Sequence, residues 1–249
     1  MPQSNPVPLS CVRSGAAGAP TVVFVHGLAA SGDVWADQCT RLGQRYDTIT
    51  VDLRAHGASP PIDVACTRTD LVSDLIATLD REGAERAAIV GHSAGGVVAM
   101  QTAVEHPDRV SALVLVGTAS ECNDKTAAWY KKTAGICEFE GGEKGMKFMG
   151  MRPGDSPIPH GPGMAQICRA MSTLNDAPLT QAVRAIKVPT LIIVGEKDFL
   201  GVGGSVILSR AIAGSELEIV PDRGHGIYLE AADWFARRVG GFFDANLDG

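Results

Sequence analysis

Gly91-His92-Ser93-Ala94-Gly95-Gly96 follows the apolar run Ala87-Ala88-Ile89-Val90 and leads into Val97-Val98-Ala99-Met100. A run with the pattern of a buried strand stops at a serine flanked by glycines, and a helical pattern begins behind it. Gly91-x-Ser93-x-Gly95 between a strand and a helix reads as a nucleophile elbow. The spacing has a steric origin. A serine at the apex of so sharp a turn sits in a strained backbone conformation, with its hydroxyl pushed into open space. The residues two before and two after pass too close to neighbouring backbone for a Cβ, which calls for glycine at both. The same pattern also arises by chance as a small-residue turn, so its meaning depends on what the rest of the chain brings to the hydroxyl.

The chain of 249 residues has room for one sizeable α/β domain and not for two. We therefore expect a single domain over residues 1–249. Its apolar share of 45% suffices for a core. A net charge of −6 with no lysine/arginine cluster argues against nucleic acid or an anionic membrane as partner. The apolar runs are far too short to span a bilayer, and Met1–Pro20 lacks a charged segment followed by an apolar one. A cytoplasmic protein is the expectation, as monomer or homodimer. Cys11, Cys39, Cys66, Cys122, Cys137 and Cys168 are scattered, with no C-x-x-C pair and no histidine at ligand spacing, so no metal site is expected.

Working outward along the chain, Leu9–Arg13 suggests a short edge strand, and Thr21–Val25 (TVVFV) a strand buried on both faces. Asp33 is placed to cap a helix from Val34 to Leu42, and Thr48–Val51 forms the next strand. Thr69 is placed to cap a helix whose Leu71, Leu75 and Leu79 share a face. Gly96–Glu105 reads as the helix after the elbow, and Val110–Val116 as another buried strand. From about 119 to 187 strand signals vanish and apolar residues fall at helical spacing, as expected for a helical cap inserted between two late strands. Thr190–Val194 and Glu216–Val220 resume the sheet, and Ile227–Phe243 closes the chain as one helix. Alternating strands and helices imply a doubly wound, mostly parallel α/β sheet.

A serine nucleophile needs a base, an acid that orients the base, and donors for the oxyanion. In parallel α/β sheets, ligands bind beyond the carboxyl ends of the strands, so residues just past strand ends are the candidates. His225, between glycines in Asp222-Arg223-Gly224-His225-Gly226, is the strand-end histidine free to act as base. Asp198 in Gly195-Glu196-Lys197-Asp198 is the favoured acid. Glu121, just past Val110–Val116, is its rival. The order Ser93, Asp198, His225 is that of the α/β-hydrolases.

With these residues in hand, the chain resembles the α/β-hydrolase fold superfamily. The resemblance rests on His26-Gly27 after a strand, Asp52-Leu53-Arg54-Ala55-His56-Gly57-Ala58-Ser59, the elbow, Gly195-Glu196-Lys197-Asp198 and Gly224-His225, all in the superfamily's order. It covers nearly everything outside the cap and is closest in style to small capped esterases, enol-lactonases, meta-cleavage-product hydrolases and haloperoxidase-like members. It implies an oxyanion hole formed by the backbone N–H groups of Leu28 and Ala94, and no metal or organic cofactor. It also implies an architectural role for the Asp52–Ser59 loop, with Asp52, Arg54 and His56 bonding one another and the loop backbone. Ala55 stands where the superfamily carries glycine. Ser93 itself disfavours the dehalogenase and epoxide-hydrolase branches, which carry aspartate there.

The cap should set specificity. Trp129, Phe139, Met149, Met164 and Ile167 are its candidate pocket residues, the methionines offering an adaptable lining. The cap has no dense basic cluster, only spread charges such as Arg152 and Arg169, either of which could pair a single carboxylate. The expected activity is hydrolysis of a small or medium, largely apolar carboxylic ester or lactone through an acyl-enzyme. C–C bond hydrolysis or lyase chemistry on the same three residues is the alternative, and a ligand receptor with vestigial turnover a third.

Overall fold

The computed structural model describes residues 5–61, 64–152, 154 and 156–247. Seven strands form one sheet: β1 (Cys11–Gly15), β2 (Thr21–Val25), β3 (Asp47–Val51), β4 (Ala87–His92), β5 (Val110–Val116), β6 (Thr190–Gly195) and β7 (Glu216–Val220). Their order is β1-β3-β2-β4-β5-β6-β7, with β1 antiparallel to β3 and every other pairing parallel. The central strands are apolar throughout because helices cover both faces. Period-2 alternation divides them: Val23 and Val25 face one core with Leu71, Leu75 and Leu79, while Val22 and Phe24 face the other with Trp35, Phe235 and Phe242.

On the first face lie α2 (Arg68–Arg81), α3 (Ala94–Glu105) and α7 (Val202–Ala211). On the second lie α1 (Ala36–Leu42) and the C-terminal α9 (Ala232–Asn246), which follows the short α8 (Ile227–Glu230). Between β5 and β6 stand α4 (Asp124–Glu140), α5 (Gly142–Phe148) and α6 (Gly161–Ser172). These three build a small core of their own from Ala134, Cys137, Met146, Met164, Ala165 and Cys168, closed by Ala29 from the loop after β2. No helix among the described residues is long and apolar enough to cross a membrane.

Several boundaries differ from the sequence reading, each for a local reason. Helix α2 starts two residues early because Thr67, not Thr69, is its cap. The Thr67 hydroxyl accepts the Asp70 amide (3.2 Å) while the Asp70 carboxylate accepts the Thr67 amide (2.8 Å), a reciprocal capping box. The helix before Leu42 opens as a 3₁₀ turn, Gly32–Trp35. The closing helix breaks at Ala231, whose φ of −139° and ψ of 48° are non-helical. The edge strand runs over Cys11–Gly15 rather than Leu9–Arg13. Helix α7, with Gly203 and Gly204 in its first turn, carried no legible signal.

Candidate active site

The order of the sheet puts the loop after β2 beside the turn after β4, because these strands are neighbours in register from Val22/Ala88 to Val25/Gly91. Ser93 sits in that turn at φ 53° and ψ −117°, a conformation that costs a residue with a Cβ. Both flanking glycines are compelled by close approach. A Cβ on Gly91 would lie 2.5 Å from the Gly95 carbonyl oxygen, and one on Gly95 would lie 2.3 Å from that of Val25. The turn is tied down by the Ser93 amide donating to Val116 O (2.9 Å) and by the Thr118 hydroxyl donating to Ser93 O (2.7 Å). Helix α3 begins directly at Ala94, two residues ahead of the Gly96 start expected from sequence. Neither the Leu28 nor the Ala94 amide is engaged by an acceptor among the described residues.

His225 follows β7 and Asp198 follows β6, two strands that pair in parallel. The His225 Nδ1–H donates to Asp198 Oδ2 at 2.8 Å, which leaves Nε2 as the basic nitrogen. Asp198 is 2% exposed, and its other oxygen accepts the amides of Leu200 (3.1 Å) and Gly201 (3.0 Å). Three donors thus fix the orientation of the carboxylate. Gly117 gives the pair its room: at φ 52°, a Cβ there would lie 2.9 Å from Asp198 Oδ2 and 3.1 Å from His225 Nδ1.

Two further groups fasten His225, and sequence reasoning missed both roles. Glu230, on α8, accepts the amides on either side of the histidine, Gly224 (2.7 Å) and Gly226 (3.2 Å). His92, the residue before the serine, donates its Nε2–H to the His225 carbonyl (3.0 Å), with the two rings 4.5 Å apart. Burial, and then the neighbouring His225, hold His92 well below the usual histidine pKa, so it is neutral and a fixed donor. The i+4 spacing of Glu230 from Gly226 was visible, but not that the loop folds back over it.

The loop Asp52–Ser59 supports the other side of the site. His56 donates Nδ1–H to Arg54 O (3.1 Å) and accepts the Ala29 amide on Nε2 (3.0 Å). Asp52 accepts the amides of Gly32 (2.6 Å) and Ala58 (2.8 Å). His26 donates to Gly27 O (2.6 Å) and accepts the Leu53 amide (2.9 Å). Burial, and then the adjacent His56, press the His26 pKa down to about 3. These neutral histidines set the peptides around Leu28. The expected bonding within the loop is found at the Arg54 carbonyl, which His56 meets, whereas the guanidinium, at 0% exposure, reaches out of the loop to Asp74 on α2, which meets both ends of its fork.

Ser93 and His225 line one cavity of about 380 Å³, whose wall includes Glu121, Trp129, Tyr130, Leu174, Phe199 and Leu200. Of the five residues proposed for the pocket, Trp129 lines it. Phe139 instead points outward at 83% exposure, Met164 and Met149 belong to the small core of α4–α6, and Ile167 packs in the main core. Neither Arg152 nor Arg169 lines the cavity, and Arg169 is paired with Glu138 (2.5 Å). Phe199 and Leu200, directly after Asp198, went unread as wall residues.

A mostly parallel sheet with a strained serine turn after β4 and an Asp–His pair after β6 and β7 defines a hydrolase architecture. The chain matches the alpha/beta hydrolase family over residues 22–238 and belongs to it; it is an enzyme of a hydrolase family. It is 27% identical to the putative carbamate hydrolase RutD of Klebsiella pneumoniae over 236 residues, covering 88% of this chain and 89% of that one. It is 25% identical to the uncharacterized carboxylesterase nap of Bacillus subtilis over 250 residues, covering 94% and 82%. Among solved structures it is similar to the enol-lactonase of Burkholderia xenovorans, with a TM-score of 0.83, 25% identity and coverage of 95% and 96%.

Proposed function

We propose that this enzyme hydrolyses small or medium carboxylic esters or lactones through an acyl-enzyme on Ser93. The observation that carries the reading is the 2.8 Å Asp198–His225 hydrogen bond opening onto the same cavity as the strained Ser93 turn. His225 Nε2 takes the Ser93 proton as the hydroxyl attacks the acyl carbon. Asp198 keeps the proton of Nδ1 in place and stabilises the imidazolium. The amides of Leu28 and Ala94 receive the oxyanion, each such donor contributing about 3 kcal/mol in the transition state. His225 then protonates the leaving alcohol, and water activated by the same nitrogen releases the acid. Residues 119–187 act in this reading as a cap whose α4 supplies Trp129 and Tyr130 to the wall.

The likenesses to a carboxylesterase and an enol-lactonase support an ester or lactone bond, and the likeness to a carbamate hydrolase puts a carbamate on the same test. A panel of short-chain p-nitrophenyl esters, lactones, an aryl carbamate and a vinylogous diketone is the discriminating measurement. Turnover of esters or lactones with stoichiometric labelling of Ser93 by a fluorophosphonate is expected. Inertness toward every ester and the phosphonate would falsify the reading, and a diketone cleaved faster than any ester would move it to C–C hydrolysis.

Glu230 is a positioning residue in this scheme. Glu230→Ala frees both amides flanking His225, and since a displacement of about 1 Å can cost about 10²-fold, we expect kcat to drop roughly tenfold. KM should barely change, and Glu230→Gln, which keeps one acceptor oxygen, should recover part of the loss. A shift confined to KM would place Glu230 in substrate binding instead.

A further inference from the structure

Among the described residues that line the cavity, Glu121 is the one that carries a carboxylate, and it has a held geometry and an oxygen to spare. Ser120, fully buried, donates its hydroxyl to Thr180 Oγ1 (2.8 Å), and the Thr180 hydroxyl in turn donates to Glu121 Oε2. The chain of hydroxyls fixes the carboxylate and leaves Oε1 without a hydrogen-bond partner among the described residues. No lysine or arginine lines the same cavity among those residues. Arg68 and Lys131 lie near enough to act on the Cys122 thiol but are not among the residues that line the cavity. Arg68 donates from Nη2 to Ala177 O at 2.7 Å. The same wall carries Trp129, Tyr130 and Phe199, the first two rings 5.2 Å apart and edge-to-face. An aromatic wall with a single fixed anion and no cation is complementary to a positively charged group, which gains from the ring faces as well as from the charge. The net charge of −6 adds to this by favouring the approach of cations.

We propose that Glu121 makes this cavity selective for substrates whose acyl or alcohol arm carries a cationic nitrogen, a protonated amine or trialkylammonium group, over isosteric neutral or anionic ones. The inference rests on the ester-hydrolase reading for its chemistry, while the recognition element itself is a binding property. Glu121 plays no part in the proton transfers. It is a specificity residue, placed where the sequence alone had weighed it as a rival for the acid.

Two measurements separate the claims. The first compares kcat/KM for a thiocholine ester with that for its neutral 3,3-dimethylbutyl thioester isostere, in wild type and in Glu121→Gln. Glutamine keeps an acceptor for the Thr180 hydroxyl, so the wall retains its shape. We expect a preference of about tenfold or more for the cation in wild type, the size typical of a partly desolvated cation–π and ion-pair contact, collapsing to about one in Glu121→Gln. Equal rates in wild type, or a preference that survives the substitution, overturns the proposal. The second measurement is calorimetric binding of benzyltrimethylammonium, which needs no turnover. Wild type should bind it at least tenfold more tightly than Glu121→Gln, and equal affinities again overturn the proposal. Binding without hydrolysis of either thioester would count against the ester-hydrolase reading and leave the cation selectivity standing.

Discussion

Ser93→Gly is expected to abolish turnover and yet yield a more stable protein than Ser93→Ala. Both substitutions remove the hydroxyl, and loss of a serine nucleophile from such a triad lowers kcat by about 10⁶-fold. They differ in the backbone. At φ 53° and ψ −117°, the residue after His92 occupies a region that costs roughly 1–3 kcal/mol for anything with a Cβ. Glycine escapes that strain but brings about 0.4–1 kcal/mol of extra disorder to the unfolded chain. The balance favours glycine by about 1 kcal/mol, which in a domain of this size shifts Tm by roughly 2–4 °C. Nothing else about the site changes, since the turn is held by backbone bonds to Val116 and Thr118 rather than by the serine side chain. Paired thermal melts and ester kinetics on the two variants check both halves. If Ser93→Ala keeps more than a trace of activity, the nucleophile lies elsewhere. If Ser93→Gly melts at or below Ser93→Ala, the strain that aims the hydroxyl is absent.

How far the site could be read from sequence depends on the kind of signal involved. Strands β2, β5 and β7 were legible to the residue because each is an unbroken apolar or alternating run bounded by turn residues. Ser93, Asp198 and His225 could be singled out as candidates because each stands past a strand end, where a parallel sheet assembles sites, and the structure bonds Asp198 to His225 and puts His225 and Ser93 on one cavity. Leu28 and Ala94 were named from family resemblance alone, and the pairing of β2 with β4 is what makes the segments that follow these two strands neighbours. The cap was harder. Helix α4 carries apolar residues around its whole circumference, so spacing did not reveal that Ala134 and Cys137 face the inner core while Phe139 faces solvent. Glu230 and His92 act through a loop that folds back on itself. Glu121 looked like a candidate acid because its position past β5 is legible, whereas its bond to Thr180, 59 residues away, is not.

Asp74→Ala is expected to be the most damaging substitution outside the active site. Arg54 is 0% exposed, and its guanidinium meets both oxygens of Asp74, Nε to Oδ2 at 2.5 Å and Nη2 to Oδ1 at 2.6 Å. Oδ1 also accepts the Val7 amide at 2.7 Å. Truncating Asp74 takes from a buried cation the carboxylate that meets both ends of its fork, which typically costs about 3–5 kcal/mol. Removing both members of the pair together is a different matter: Arg54→Met with Asp74→Leu leaves neither of them without its partner, so much of that loss should be recovered. Urea unfolding of the two single variants and the double variant measures the contrast. A cost below about 1 kcal/mol for Asp74→Ala would show that the pair contributes little. Function should follow the same pattern. Arg54 anchors the loop from which His56 holds the Ala29 amide and Asp52 holds that of Gly32, and those bonds set the peptide at Leu28. Asp74→Ala should therefore lower kcat on esters in the fraction that stays folded. The apolar double variant should recover stability more fully than rate, because packing alone fills the space of the ion pair but does not fix the loop's direction.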